Sequence, residues 1–363
     1  MRVALLSYST RARGGVVHTL ALAEALVELG VDVTVWSIGR SGDQAFFRPV
    51  DPRVQIRVVP VQDRDGEEFG ERILRSIAEL SAGFAPHAAE YDVVHAQDCL
   101  SANAAGPLRR DVVRTVHHVD HFTTRQLADC HERALVSPRT HVCVSAAVAE
   151  EIATGWGIAA TVIPNGVDAA RFAAAAEPAA AAARDRWRAE LGRYVLAVGG
   201  IEPRKGTDDL VEAVALLQRE RPELRLVVAG GETLFDHRPY RMRVLARAAE
   251  LGVAPVLLGP VAHEVLPSLV AAAEVFAFPS VREGFGLAAM EALAAGVPVV
   301  CRELPVLREV FGDAVTYAHD VPTLAAALAA PSADGDGRAL AAGYTWSAAA
   351  TAHLALYRDL VRH

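Results

Sequence analysis

The strongest constraint on the fold is a repeated unit in which a short, wholly apolar run is followed by a glycine-marked loop and then by apolar residues at helical spacing. Val3 to Leu6 is such a run, Gly14-Gly15 marks a turn, Val17 to Leu29 carries a helical pattern that Gly30 stops, and Val31 to Trp36 is the next run. A strand that is apolar at every position is buried on both faces, and a helix between two such strands makes a βαβ unit of a parallel sheet. Val54 to Val59, Val93 to His95, Val112 to Val116 and His141 to Val144 supply further strands. The N-terminal half therefore reads as one doubly wound domain.

The pattern pauses and then begins again. Asp168 to Ala183 is alanine-rich with Pro178 inside it, and a charged helical stretch follows from Arg184 to Leu191, so a linker is expected there. Strands at Val195 to Val198, Leu224 to Ala229, Val256 to Leu258, Val275 to Phe278 and Val297 to Cys301, with a helix over Asp208 to Leu217, predict a second doubly wound domain. At 363 residues the chain is long for one core and comfortable for two. The expected division is an α/β chain of two Rossmann-like domains, 1–168 and 169–345, facing across a cleft, with a last helix over 346–363. Pro331 to Gly337 reads as a polar loop.

Composition removes several classes of function. A net charge of -8 argues against a general attraction to nucleic acid or anionic lipid. Arg109, Arg110 and Arg114 read as a solvated helix end. The four cysteines, Cys99, Cys130, Cys143 and Cys301, are spaced like neither a zinc site nor a disulfide framework and read as reduced packing residues of a cytoplasmic protein. No run approaches the ~20 apolar residues of a membrane span, which leaves peripheral membrane contact open. The G-x-G-x-x-G fingerprint of a dinucleotide site is absent.

The most informative stretch is Pro279 to Ala292, where Glu283 and Glu291 stand eight positions apart across Gly284 and Gly286, at the start of an apolar helix that Gly296 ends. A retaining glycosidase holds its carboxyl pair about 5 Å apart, whereas eight residues of helix rise about 12 Å. The spacing suits the two ends of an extended ligand, and the N–H groups of the helix start favour anionic oxygens. A diphosphate between two hydroxyl-bearing groups has that shape. The plainer reading, a helix-capping Glu283 and a solvated Glu291, does not explain the preceding strand or the turn glycines.

This segment resembles the signature of the retaining nucleotide-sugar glycosyltransferases of family 4, which have the GT-B fold. Further matches follow in order along nearly the whole chain: Gly14-Gly15, Thr115-Val116-His117, Pro164-Asn165-Gly166-Val167-Asp168 and Lys205-Gly206. The resemblance implies transfer of a sugar from a nucleoside diphosphate donor to the hydroxyl of a small-molecule or lipid-linked acceptor, with no cofactor besides the donor and no metal. The expected catalytic groups are His117, which orients the donor sugar, Lys205, which neutralises the departing phosphate, and Glu283. Gly15, Arg204, Gly230, Gly284, Phe285, Gly286 and Leu287 complete the donor site with Glu291 on the ribose, while Gly14, Asp98 and Asn165 stand on the acceptor side. Ser145 and Glu232 are minor members of the cleft. The family usually has Arg where this chain has Gly200, and Arg204 is the candidate replacement. The last helix is expected to return to the first domain.

Three other readings stay open at this stage. A nucleotide-sugar epimerase or hydrolase fits the same architecture, and so does a non-catalytic nucleotide-sugar-binding module. His117, His118, Asp120, His121 and His131 also form a string rich in metal-ligand types, although such strings are common in loops without metal.

Overall fold

The computed structural model describes residues 1–40, 42–119, 124–231 and 237–362. They divide into two compact units, one of Met1–Gly166 with the helix Trp346–Arg362 and one of Val167–Thr345.

The first unit contains β1 (Arg2–Leu6), β2 (Asp32–Arg40), β3 (Gln55–Val61), β4 (Val93–Ala96), β5 (Val113–Val116), β6 (Thr140–Cys143) and β7 (Thr161–Val162). They form one parallel sheet in the order β3-β2-β1-β4-β5-β6-β7. On one face Val3 and Leu5 of β1 pack with Leu20 and Leu26 of the helix Gly14–Glu28, and with Ala350 and Tyr357 of Trp346–Arg362. On the other, Ala4 and Leu6 meet Phe84 and Ala102. Both faces of β1 are covered, which is why Val3 to Leu6 carries no polar alternation.

The second unit repeats the plan with β8 (Tyr194–Val198), β9 (Arg225–Ala229), β10 (Val256–Gly259), β11 (Val275–Phe278), β12 (Val299–Arg302) and β13 (Thr316–Ala318), in the parallel order β10-β9-β8-β11-β12-β13. In each sheet the winding reverses once, between β1 and β4 and between β8 and β11. Open α/β sheets bind ligands at such switch points, outside the carboxyl ends of the strands. The loops after β8 and β11 carry Lys205 and Glu283 respectively.

Several expectations need correction. The alanine-rich stretch is not a linker: it folds into the helices Ala169–Ala176 and Ala181–Leu191, joined by a short turn at Pro178–Ala180, and packs on the helix Leu266–Ala272 of the second unit. Alanine is the best helix former, and Pro178 opens a turn, where its missing N–H costs nothing. Buried Phe172 anchors the first of these helices. Gly14 and Gly15 do not form a turn; they are the first two residues of the helix Gly14–Glu28. Arg109 and Arg114 do not share a solvated patch. Arg109 pairs with Asp111, and Arg114 lies buried within β5. The edge strands β7 and β13 span only two and three residues, too few to show a sequence period.

Candidate active site

In the second unit the site grows from two strand ends. After β8 the chain passes through Gly199, at φ +138°, and a short turn Pro203–Lys205, to Gly206 at φ +61°. A side chain at Gly206 would have its Cβ 2.3 Å from the Pro279 carbonyl oxygen, so the left-handed glycine lets the loops after β8 and β11 touch. A Cβ at Gly230 would fall 2.2 Å from the Gly199 carbonyl oxygen. Gly230 thus holds the ends of β8 and β9 together, an indirect role in shaping the site.

These contacts place Lys205 and Arg204 on Glu283. The Lys205 ammonium donates to Glu283 Oε1, Arg204 reaches the same oxygen at 3.2 Å, and Ser280 Oγ donates to it at 3.0 Å. Arg204 also pairs with Glu202 at 2.8 Å. The Lys205 nitrogen lies 5.1 Å from the centre of the Phe278 ring, within range of a cation–π attraction. Burial lowers the Lys205 pKa and nearby Arg204 adds to that, while Glu283 opposes both. Gly199, Gly200, Lys205, Thr207, Phe278 and Ser280 line a shallow recess beside the ammonium.

The second loop ends in a helix start. Gly284, Phe285 and Gly286 are buried, Gly286 is left-handed at φ +97°, and the helix Leu287–Ala294 begins at the next residue. Phe285 sets its ring edge-on against Tyr344, with centroids 5.2 Å apart, which fixes the turn. The helix closes through Gly296, whose N–H meets Leu293 O at 2.8 Å while Val297 N–H meets Ala292 O at 3.0 Å. Glu283 precedes the helix by four residues, so the helical rise assumed from sequence applies only between Leu287 and Glu291. Burial pushes the Glu291 carboxyl up to about 7, against the pull of Arg171.

The first unit gathers a different chemistry. His117 follows β5, and its Nε2 is buried without a hydrogen-bond partner. The His18 ring stands edge-on to it at 4.8 Å, and Gly15 lies close enough that a Cβ there would be 3.6 Å from the imidazole. His18 Nδ1–H donates to Asn165 Oδ1 at 2.8 Å, so Asn165 orients a buried histidine as well as shaping its turn. Behind them His95 bonds Tyr357 Oη at 2.6 Å and Thr115 Oγ1 at 2.7 Å, with His353 tilted against it at 5.6 Å. Burial is the main cause that holds all four rings neutral, bringing His18 down to about 3 and His353 to about 4.

Asp98 differs from expectation. It caps the helix Cys99–Ala105 by accepting Ser101 N–H at 2.8 Å on one oxygen and takes Tyr8 N–H at 2.9 Å on the other. Its carboxylate serves the backbone rather than standing open to an acceptor. Ser145 likewise caps the helix Ala146–Trp156. Asp120, His121 and Glu232 lie outside the described residues. Among the described residues no group of three metal-ligand side chains comes together, and no helix is long and apolar enough to cross a membrane.

Sequence reasoning missed His18, His353, Ser280 and Arg171. His18 alone gave a signal, as a histidine among the apolar residues Val16 to Val27, three positions after Gly15. His353 and Arg171 become relevant only once the fold brings distant elements together.

Comparison with known proteins gives consistent results. Residues 12–171 match the family described as Glycosyltransferase Family 4, and residues 183–333 match Glycosyl transferases group 1. A D-inositol 3-phosphate glycosyltransferase of Xylanimonas cellulosilytica is 32% identical over 99% of this chain and 97% of its own length. An MMP alpha-(1->4)-mannosyltransferase of Mycolicibacterium hassiacum is 30% identical over 86% of this chain and 83% of its own. Among solved structures, sucrose-phosphate synthase from Thermosynechococcus elongatus aligns with a TM-score of 0.79 at 22% identity, covering 99% of this chain and 98% of that one. Anabaena HepE in complex with UDP and glucose aligns at 0.77 and 20% identity, covering 99% and 100%. At these identities the structures establish the shared GT-B fold.

Proposed function

The chain belongs to glycosyltransferase family 4 and is a nucleotide-sugar-dependent transferase; from that premise we propose that its second unit holds the donor and that the sugar is transferred with retention. The observation that carries this reading is the convergence of Lys205 and Arg204 on Glu283, beside the glycine turn that starts the helix Leu287–Ala294. When the bond between the sugar and the diphosphate breaks, negative charge grows on the leaving oxygen. A fixed, half-buried ammonium stabilises that charge more than it stabilises the bound donor, which is the condition for lowering the barrier. Lys205 therefore serves the leaving group, with Arg204 supplying the charge that Gly200 lacks. The free N–H groups at the helix start take the diphosphate oxygens, and Glu291 takes the ribose hydroxyls.

With Lys205, Arg204 and Ser280 all on its Oε1, Glu283 is read as a holding and aiming group rather than as the nucleophile. Retention then follows an internal-return route. The anomeric bond to phosphate breaks, the acceptor oxygen bonds to the same face, and its proton passes to the departing phosphate. Glu283 holds the sugar hydroxyls and keeps Lys205 aimed. His117, with Nε2 unpaired, offers the first unit's contact to a sugar hydroxyl.

The relative named for D-inositol 3-phosphate supports a small phosphorylated polyol as the first acceptor to try. The test offers UDP-, GDP- and ADP-sugars with that acceptor and reads the anomeric configuration of the product by NMR. A product with the donor's configuration, formed far more slowly by Glu283→Gln, is the expected result. An inverted product would overturn retention, and near-normal transfer by the variant would remove Glu283 from the site.

A further inference from the structure

Cys99 and Cys130 stand 31 residues apart in sequence, yet the fold brings their sulfurs to 3.9 Å. Cys99 opens the helix Cys99–Ala105 directly after β4, and Cys130 sits in the helix Arg125–Val136 between β5 and β6. The Asn103 amide locks the two together, donating to Cys130 Sγ at 3.3 Å and to the carbonyls of Cys99 and Cys130 at 2.9 and 2.8 Å. Neither cysteine is in a disulfide, and their exposures differ: Cys99 is part-exposed and Cys130 is 1% exposed. We propose that Cys99 and Cys130 form a reversible disulfide, a redox modification site that ties the helices following β4 and β5.

The geometry sets the order of events. An external disulfide such as oxidised glutathione reaches the part-exposed Cys99 first. The Cys99 sulfur attacks it, releases one reduced glutathione with the thiol proton, and becomes a mixed disulfide. Cys130 Sγ then attacks Cys99 Sγ, closing a gap that ends at about 2 Å, and expels the second glutathione, which takes up the remaining proton. Two electrons leave the protein and two glutathione thiols result. In the reduced pair Cys99 donates to Cys130, which pushes the Cys99 thiol up and the Cys130 thiol down; once Cys99 carries glutathione that donor is gone, and Arg133 is the group that still favours the Cys130 thiolate. The remaining cysteines, Cys143 and Cys301, are buried, lie outside this sulfur pair and serve as internal controls.

The experiment treats the purified full chain with oxidised glutathione, alkylates with N-ethylmaleimide under denaturing conditions, and maps peptides without reduction. The expected result is one cross-linked peptide joining Cys99 to Cys130, loss of alkylation at these two sites only, and full reversal by dithiothreitol. Cys130→Ser should instead accumulate glutathione on Cys99, a species that wild type passes through without building up. Cys99→Ser should leave Cys130 alkylatable after the same treatment, which keeps the test intact if one variant misfolds. Undiminished alkylation of both cysteines in oxidised wild type would overturn the proposal, and so would glutathione that stays on Cys99 while Cys130 remains free.

Discussion

The carboxyl ends of the two sheets share one topology and treat charge in opposite ways. At the end of the first sheet, His18, His95, His117 and His353 pack against one another and are kept neutral mainly by burial. At the end of the second, Lys205, Arg204, Glu202 and Glu283 form a tight set of opposite charges around two glycine-bearing loops. Neutral rings can exchange hydrogen bonds with hydroxyl groups and impose no net field on them. A fixed cation answers charge that grows during reaction. Under the proposed function, one winding plan serves sugar hydroxyls in one unit and a diphosphate in the other.

The comparison breaks most severely if the cation is dispensable. Lys205→Ala should lower kcat by about 100- to 1000-fold, the usual cost of removing one preorganised group that stabilises developing charge, while donor affinity changes far less. Single-turnover kinetics with saturating donor separates the two. A loss confined to KM would make Lys205 a ground-state binder and leave the leaving group without its stabiliser.

Gly206→Ala tests whether the glycine contact holds the charged loops in place. The new Cβ meets the Pro279 carbonyl oxygen at 2.3 Å in a left-handed backbone at φ +61°, a combination worth about 3 kcal/mol of stability or more. Chemical denaturation should show that loss, with a fall in transfer at temperatures where the variant stays folded. An unchanged midpoint would mean that the two loops separate without cost.

How much of this was legible beforehand depended on how local each signal was. The strands β1, β8 and β11 announced themselves because each is an uninterrupted apolar run followed by a glycine-bearing loop, and Glu283, Lys205 and Gly286 lie in those loops after β8 and β11. The alanine-rich stretch from Asp168 misled because alanine marks both a featureless connector and a good helix, and only buried Phe172 distinguishes them. Asp98 looked like an open carboxylate at a strand end, yet its oxygens are taken by the Ser101 and Tyr8 amides, one of them 90 residues away in sequence. The pairings of His95 with Tyr357 and of Cys99 with Cys130 depend on which helices lie side by side, which no local pattern encodes.

The histidine side of the comparison predicts sensitivity to acid. A histidine whose pKa is lowered in the folded state contributes stability that is fully present above its unfolded value near 6.5 and is lost as pH falls through the folded value. For His353, whose folded value is about 4, that amounts to roughly 3 kcal/mol across the window from pH 6.5 to 4. Denaturant midpoints measured over this range should fall steeply, and less steeply in His353→Leu. The same slope in both would place the acid sensitivity elsewhere.

The finest distinction concerns Glu291, the one carboxyl of the second unit's candidate site that burial pushes up to about 7. Its raised value makes the unliganded chain lose stability as pH rises from the ordinary carboxylate range through 7, because the unfolded chain releases that proton earlier. Ribose hydroxyls donate better to a carboxylate than to a neutral acid, so donor binding should strengthen over the same interval, by about tenfold between pH 6 and 8. An intact nucleotide sugar is the right ligand, since its diphosphate carries no terminal phosphate that ionises near neutrality, unlike a free nucleoside diphosphate. Calorimetric titration should give affinity rising with pH in the native chain and a flat profile in Glu291→Gln. A step of equal size in the variant would assign the titration to another group and remove the ribose contact from Glu291.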